Sequence, residues 1–158
     1  MAKLKIRRFQ LSDQKEIFEL HKKALIAIAE NFYLSGSPWE DDFKDLESTY
    51  IRPGGEFLVG EIEGKIVAIG ALKKLSEDRA EIKRMRVDPD FQRRGFGQII
   101  LDELEVRAKE LGFKSLQLDT ALIQKAARKL YEKNGYKEFG RGIINGSKCI
   151  FYEKKLSD

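Results

Sequence analysis

Residues that cross-link a chain or hold a structural metal are scarce in this sequence. Its 158 residues include one cysteine, Cys149, and one histidine, His21. A disulfide within the chain and a zinc site built from cysteine and histidine ligands are therefore both excluded. We expect Cys149 and His21 to be structural or surface residues. The absence of paired cysteines favours a reducing compartment, and we expect a cytoplasmic protein.

Long apolar runs are missing as well. The longest, from Ala24 to Ala29, is far shorter than the about 20 residues that a membrane-spanning helix needs. No apolar run follows residues 1–5. We therefore expect no signal peptide and no contact with a membrane.

A strong excess of charge of one sign is also absent. Lysine and arginine number 30 and aspartate and glutamate 26, which gives a net charge of +4. This mildly basic balance suits an anionic ligand without requiring nucleic acid. Basic and acidic residues are interspersed, and no motif of base-stacking aromatic residues is present, so nucleic acid is not an expected partner. The length suggests a single domain over residues 1–158.

Hydrophobic periodicity divides the chain into alternating strand and helix patterns. The predicted strands are 3–9, 57–62, 66–72, 79–87, 114–120, 136–143 and 148–153, and the predicted helices are 12–32, 37–50, 96–111 and 123–134. Ser12 and Ser37 are the predicted N-caps of the first two helices. Glu63-Gly64 and Asn145-Gly146 indicate hairpin turns. The resulting order, β-α-α-β-β-β-α-β-α-β-β, predicts an α/β (α+β) fold in which helices pack on a mixed sheet.

One stretch, 79–97, has the order of elements that a phosphate-binding site requires. A predicted strand ends at Val87, a basic loop containing Arg93, Arg94 and Gly95 follows, and a helix begins. Glycine lets backbone N–H groups approach a phosphate closely, and the helix N-terminus and two arginines add positive charge. We therefore predict an anion site in this loop.

Two common phosphate motifs do not fit this loop. A dinucleotide fingerprint needs a third glycine three residues after Gly97, where Ile100 stands. The nucleotide P-loop needs a final G-K-S/T, which the loop lacks. For the hexamer taken alone, an ordinary basic turn between a strand and a helix stays open as an alternative.

The loop resembles the coenzyme A loop of the GCN5-related N-acetyltransferases (GNAT), whose pattern Q/R-x-x-G-x-G/A follows a strand that ends in valine. Gln92, Gly95 and Gly97 match the pattern, and Val87 matches the strand end. A second family signature, A-x-x-L-Y-x-x-x-G-F/Y, is similar to residues 127–136. The order of elements predicted above is that of the GNAT fold. The resemblance thus covers nearly the whole chain.

The resemblance implies an N-acetyltransferase that uses acetyl-CoA as cosubstrate and no metal. The acetyl group would pass to a primary amine by direct attack in a ternary complex. The implied partners are acetyl-CoA and an amine acceptor, either a small molecule or a peptide or protein, and the implied assembly is a monomer or a homodimer. A non-catalytic acyl-CoA-binding module of the same fold is the alternative.

The resemblance also implies three coenzyme-binding segments. The strand end would bind the pantetheine arm through its backbone, the loop and helix start would bind phosphates, and the last helix would border the coenzyme. These residues are Met85, Arg86 and Val87; Gln92, Arg93, Arg94, Gly95, Phe96, Gly97 and Gln98; and Gln124, Ala127 and Tyr131. Many family members carry an asparagine where this chain has Gln124.

Acetyl transfer to an amine needs acid and base groups. Only about one alkyl amine in 10³ is neutral at pH 7, so a base assists the attack, and a proton donor assists the leaving thiolate. The resemblance implies Glu81 as the base and Tyr131 as the acid. The alternatives are a solvated strand residue paired with Lys83 and a core aromatic residue, respectively.

An acidic run suggests the nature of the acceptor. Its members are Glu40, Asp41, Asp42, Asp45 and Glu47. A negative field at the cleft would attract a cationic amine such as a polyamine, a lysine side chain or a basic peptide N-terminus. The resemblance implies that Phe32, Tyr33 and Trp39 wall this site. Helix capping, surface charge and core packing are the alternatives for these residues.

Overall fold

Seven strands form one mixed sheet in residues 3–28 and 38–157, the part of the chain that this computed structural model describes. The strands are β1 (Lys5–Arg8), β2 (Glu56–Ile62), β3 (Lys65–Lys74), β4 (Arg79–Val87), β5 (Ser115–Ala121), β6 (Lys137–Ile144) and β7 (Ser147–Lys155). The α-helices are α1 (Gln14–Ile28), α2 (Phe96–Glu110) and α3 (Lys125–Lys133). Within these same ranges, no helix is both long and apolar enough to cross a membrane.

The strand order is β1-β2-β3-β4-β5-β7-β6. All neighbours are antiparallel except β4 and β5, which are parallel. The two predicted hairpin turns are confirmed, with positive φ angles at Glu63, Gly64, Asn145 and Gly146. The sheet is therefore mixed, as the pattern of elements predicts.

The parallel pair holds together only at its beginning. Arg79–Glu81 of β4 pairs with Ser115–Gln117 of β5, and no later residue of β4 pairs with a described residue of β5. Beyond Glu81 the two strands separate. Because the rest of β4 lacks a neighbour on that side, its backbone groups border an opening in the middle of the sheet.

The sheet carries a buried apolar layer on each face. Leu104 of α2 belongs to one cluster with Leu72 and Ile82, and we call this side of the sheet the α2 face. Ile17 of α1 belongs to a second cluster with Ile69, and we call that side the α1 face. Each fully buried leucine or isoleucine contributes about 1.5–3 kcal/mol. The two clusters also show the face to which the buried apolar side chains of β3 and β4 belong.

A β-bulge interrupts β4. The register between β3 and β4 shifts so that Gly70 stands opposite both Arg84 and Met85. Arg84 has a φ of 59°, in the left-handed region. A Cβ atom on Gly70 would lie 2.6 Å from Ile100 Cγ2 and 2.8 Å from Met85 Sδ. A larger residue at Gly70 would therefore displace the bulge or helix α2.

The bulge changes the face that the end of β4 presents. Simple alternation would place Glu81 and Arg86 on opposite faces, since an odd number of positions separates them. Glu81 lies between Ala80 and Ile82, which both belong to the α2-face cluster, so its side chain lies on the α1 face. Arg86 pairs with Ile69, a member of the α1-face cluster. Glu81 and Arg86 therefore share the α1 face.

The predicted helix 37–50 has a different form. A 3₁₀ segment, Pro38–Lys44, is followed by a π turn, Glu47–Ile51. Tertiary contacts explain the irregular path, because Tyr50 is fully buried and Asp42 is bound by a side chain of β4. The predicted cap at Ser37 lies outside the described residues.

The start of α1 also differs from the prediction. A 3₁₀ turn, Leu11–Asp13, precedes the helix and contains Ser12, the predicted cap. The Asp13 carboxylate accepts a hydrogen bond from the Gln10 backbone N–H at 2.7 Å. Asp13 also accepts a hydrogen bond from Arg7 Nη1 at 2.7 Å, which ties the turn to β1. The longer-range partner explains why Asp13 rather than Ser12 organises this end.

Candidate active site

A cavity of about 270 Å³ lies where β4 and β5 separate. Side chains of β4, β5, α3 and the β6–β7 turn line it, among them the predicted catalytic pair. Lining residues that bear on the chemistry are Glu81, Met85, Arg86, Asp119, Gln124 and Tyr131. The structure thus brings together groups that lie up to fifty positions apart in the sequence.

Tyr131 reaches this cavity from α3. Its side chain is 4% exposed, and its ring packs edge-on against Tyr136 at 5.6 Å between centroids. Burial raises the pKa of Tyr131 well above its usual value, and the positive charge of Arg86 offsets only part of this rise. Tyr131 therefore keeps its proton at neutral pH, as a proton donor must.

Glu81 reaches the cavity from β4 and is half-buried. Burial is the main cause that raises the pKa of Glu81, and the nearby Asp119 carboxylate adds to it, whereas Lys83 and Lys73 act against it. A carboxylate with a raised pKa accepts a proton more readily near neutral pH. The setting suits a general base.

Asp119 is a site residue that sequence reasoning did not assign. It follows Leu118 in β5 and lines the cavity beside Glu81. Alternation of apolar and polar residues along β5 is a local signal, and in the structure Leu118 is buried while Asp119 is exposed. The pairing of two carboxylates becomes visible only when β4 and β5 are placed side by side.

The predicted anion loop has the backbone that such a site needs. Arg93 and Gly95 have φ angles of 65° and 79°. The first hydrogen bond of α2 runs from the Ile99 N–H to the Gly95 carbonyl oxygen at 3.1 Å. The N–H groups of the preceding first turn have no partner within the helix and are available to a phosphate.

The side chains of the loop divide between solvent and core. Arg93 is exposed, and so is Arg94, which lies over the Phe91 ring at 4.9 Å from its centroid. Phe96 is buried in the α2-face cluster, so only its backbone can serve the loop. Gln92 is exposed. The guanidinium groups of Arg93 and Arg94 are therefore accessible to a ligand beside the helix N-terminus.

The side chain of Gln98 links two helices rather than facing the loop. Its amide exchanges two hydrogen bonds of 2.8 Å with the Asn134 amide, and its nitrogen also donates to Asp102 Oδ1 at 2.8 Å. These contacts join α2 to the end of α3. The Gln98 side chain is therefore engaged, and the predicted contact with the coenzyme would be made by the Gln98 backbone N–H, which lies in the first turn of α2.

Gln124 stands immediately before α3 and lines the cavity. Its Oε1 accepts hydrogen bonds from Thr120 Oγ1 at 2.9 Å and from the Ala121 N–H at 3.2 Å. These two donors orient the amide and leave its NH₂ group for a ligand. Ala127 lines the cavity one turn later, on the same helix.

The acidic run does not form a single negative surface. Asp42 accepts hydrogen bonds from Arg84 Nε at 2.8 Å and Nη2 at 2.6 Å and from the Tyr50 hydroxyl. Glu40 is buried, with Oε2 at 2.9 Å from His21 Nε2. Asp41 pairs with Lys44, and Asp45 accepts the Ser48 N–H. Of the five acidic residues, Glu40 and Asp42 are therefore engaged within the chain, whereas Asp41, Asp45 and Glu47 are exposed, so the cationic acceptor stays a prediction with a weaker basis.

The remaining sequence expectations concern residues of the interior. His21 is fully buried, and burial together with the charges of Arg86 and Arg84 lowers its pKa to about 2, so it is neutral and structural. Cys149 is buried on β7, and burial raises the pKa of its thiol. Phe32, Tyr33 and the Trp39 side chain lie outside the described part. Within that part, no group of three or more histidine, cysteine, aspartate or glutamate side chains is placed to hold a metal.

Comparison with known proteins identifies relatives over most of the chain. The model of the Acetyltransferase (GNAT) family matches residues 16–136. The chain is 35% identical to N-acetylaspartate synthetase of Xenopus tropicalis over 101 residues, which cover 63% of this chain and 37% of the relative. It is 29% identical to human N-acetyltransferase 8 over 127 residues, which cover 72% and 56%, respectively. The chain therefore spans less than two thirds of the length of either relative.

Solved structures show the same fold. An acetyltransferase of the GNAT family from Staphylococcus aureus superposes with a TM-score of 0.85 at 22% identity, covering 98% of this chain and 100% of the other. The PaiA N-acetyltransferase of Thermoplasma acidophilum, solved in complex with coenzyme A, gives 0.80 at 20% identity, covering 97% and 99%. The family match extends over more than half of the chain, from α1 to the end of α3, and includes the anion loop and Tyr131. The chain belongs to the GNAT family of acetyltransferases.

Proposed function

We propose that residues 1–158 form one N-acetyltransferase domain that transfers the acetyl group of acetyl-CoA to a primary amine in a ternary complex. The observation that carries the proposal is that Glu81 and Tyr131, a base and an acid, line one cavity. The anion loop begins where β4, the strand of Glu81, ends. N-Acetylation in the names of both curated relatives supports the reaction type.

The described residues fit the coenzyme part by part. The first turn of α2 supplies N–H groups, and Arg93 and Arg94 supply charge for phosphates. The end of β4 has a free edge toward β5, to which an extended arm with amide groups can hydrogen-bond as an added strand would. A Cβ atom at Gly95 would meet nothing within 4 Å, so the loop is open to a ligand.

Acetyl-CoA supplies an activated acyl carbon, and the chain's own residues move the protons. Glu81 accepts a proton from the ammonium group, directly or through water, and passes it to solvent. The amine nitrogen then forms its bond to the acyl carbon as the carbon–sulfur bond breaks. Tyr131 donates its proton to the leaving thiolate and recovers one from the nitrogen through solvent. The amine thus loses two protons, of which the thiol keeps one.

Release of free thiol from acetyl-CoA, measured with a panel of amines, amino acids and peptides, tests the proposal. We expect amine-dependent release together with an N-acetylated product in the mass spectrum. Binding of acetyl-CoA without release for any amine would favour the acyl-CoA-binding module. Absence of a change in Tm at millimolar acetyl-CoA would contradict both, because saturation at 100 times Kd adds about 2.7 kcal/mol.

A further inference from the structure

Arg86 occupies an unusual position beside the proposed reaction centre. The bulge turns its side chain to the α1 face, where Glu81 also lies, and it lines the same cavity as Tyr131. Its positive charge acts on both Tyr131 and His21, lowering the pKa of each. The guanidinium is therefore close to the acid side chain and faces the helix α1 side of the sheet.

Arg86 forms no direct ion pair within the described chain, although the Asp42 carboxylate that holds Arg84 acts on its charge from a distance. Its neighbour Arg84 is bound by both oxygens of Asp42, at 2.8 and 2.6 Å. Arg86 donates from Nη1 to the Met85 carbonyl oxygen at 2.9 Å, and in residues 3–28 and 38–157 it has no carboxylate partner. Its Nε is shielded from solvent and lacks a hydrogen-bond partner in those ranges.

A half-buried cation whose Nε is shielded and which has no ion-pair partner is costly. Buried charges in proteins are normally paired, because desolvation of an isolated charge is strongly unfavourable. The consequence is visible here, since burial and the adjacent Arg84 lower the pKa of Arg86 to about 10. An anion that enters the cavity would reverse this effect and satisfy the shielded Nε. Binding of an anion in the cavity would therefore be favoured by Arg86.

The coenzyme does not supply that anion at this position. Its phosphates fit the loop at the start of α2, where Arg93 and Arg94 are exposed. The pantetheine arm and the thioester carry no charge. Arg86, moreover, lies on the α1 face, whereas the Phe96 side chain at the start of α2 belongs to the α2-face cluster. Of the two substrates of the proposed reaction, the acceptor is therefore the one that can bring an anion to Arg86.

We infer that the acceptor is a primary amine that also carries a carboxylate, such as a free amino acid, and that Arg86 binds this carboxylate. The inference rests on the proposed function and adds to it the class of substrate. Glu81 would face the ammonium group while Arg86 holds the carboxylate, and a planar guanidinium can bind both carboxylate oxygens. The acceptor would then be held at two points of opposite charge on one face of β4.

Pairs of acceptors in which one carboxylate is replaced by a carboxamide test the inference. L-Alanine with L-alaninamide, and L-aspartate with L-asparagine, each compare a carboxylate with a carboxamide. For at least one pair we expect kcat/KM to favour the carboxylate by about 10-fold or more, the effect of a charge-assisted hydrogen bond. Calorimetry with the coenzyme A complex should show the same order of affinity without requiring turnover.

Arg86→Met removes the charge and keeps most of the side-chain length. We expect the carboxylate-to-carboxamide ratio to fall by about 10-fold or more, to near one, mainly through KM. Arg86→Lys should restore part of the ratio. Arg79→Met is the matched control, because Arg79 is an exposed arginine of the same strand outside the cavity, and it should leave the ratio as in the unaltered protein.

The outcomes separate the two proposals. Acetylation of amines with no preference for the carboxylate, or a preference that survives Arg86→Met, would overturn the role of Arg86 and leave the acetyltransferase standing. Equal loss of kcat for both members of a pair would also overturn it, since Arg86 would then act on the thioester. Failure of every pair to bind the coenzyme A complex overturns it as well. Failure of acetyl-CoA itself to bind would instead refute the proposed function.

Discussion

Asp42 and Arg84 form a two-pronged ion pair that joins the 3₁₀ segment to the bulge of β4. The Asp42 oxygens lie 2.8 Å from Arg84 Nε and 2.6 Å from Nη2, and the two side chains are 11% and 4% exposed. Arg84 also lies over the Phe43 ring, at 4.7 Å from its centroid. The pair thereby holds Arg84, a strand residue with a left-handed backbone, next to the cavity.

The first prediction concerns the stability that this pair provides. Asp42→Asn leaves the guanidinium buried with a neutral partner, so we expect the free energy of unfolding to fall by about 3 kcal/mol. In a chain of this size the corresponding loss of Tm is about 6–12 °C. Thermal unfolding checks this value. The matched control is Asp41→Asn, at an exposed carboxylate, where the change should stay within about 0.5 kcal/mol. Equal, small effects of both variants would show that the pair is not a stabilising element.

The second prediction concerns the anion loop. Gly97→Glu places a carboxylate in the first turn of α2, where a Cβ atom meets Leu130 Cδ2 at an ordinary 3.5 Å. The fold should therefore survive while the negative charge repels a phosphate. We expect the Tm without ligand to stay within a few degrees and the increase caused by acetyl-CoA to vanish. Val106→Glu, an exposed position near the other end of α2, adds the same charge and should keep that increase. Tight binding by the Gly97 variant would mean that the loop is not the phosphate site.

The third prediction concerns the proton donor. Tyr131→Phe removes the hydroxyl and keeps the ring, so the affinity for coenzyme A should persist while kcat falls by about 10²-fold. Tyr136→Phe is the control, because its ring packs against Tyr131 and its hydroxyl donates to Glu105 at 2.8 Å. That variant should lose some stability but little kcat. Steady-state rates and calorimetry measure both effects. A kcat of Tyr131→Phe within twofold of normal would mean that Tyr131 is a core aromatic residue and not the proton donor.

The fourth prediction concerns Glu81 and pH. Its pKa is raised in the folded protein, so the proton is bound more tightly there than in the unfolded chain, and ionisation lowers stability as pH rises through that range. Glu81→Gln removes this penalty. We expect the variant to have a higher Tm than the unaltered protein at pH 7 and no such gain near pH 4.

Activity, unlike stability, should rise as pH rises through the titration of Glu81. The unaltered protein should lose kcat/KM as pH falls through the raised pKa of Glu81, because the protonated carboxyl group cannot accept a proton. Glu81→Gln should be nearly inactive at every pH. A variant with a normal rate and the same pH profile would mean that another group is the base. A gain in Tm without a change in rate would show only that burial of the ionised Glu81 side chain is unfavourable.

Much of the local structure follows from residue type. The hairpin at Asn145-Gly146, the strand that ends at Val87 and the helix that begins at Phe96 are all found where the patterns predict them. Local signals suffice at these places because turn geometry and helix starts depend on a few adjacent residues. The helix predicted for 37–50 differs because Tyr50 and Asp42 are held by distant partners.

The sequence by itself determined the order of the seven strands and of helices α1, α2 and α3, the glycine-containing basic loop before α2, and the choice of Glu81 and Tyr131 as candidate catalytic side chains. Only the tertiary structure decided that Asp42 is bound to Arg84 rather than free to attract a cation. It also decided that Arg86 shares a face with Glu81. That arrangement depends on the extra residue of the bulge opposite Gly70, which belongs to a neighbouring strand. No alternation read along β4 alone contains this information, because a register shift is a property of two strands.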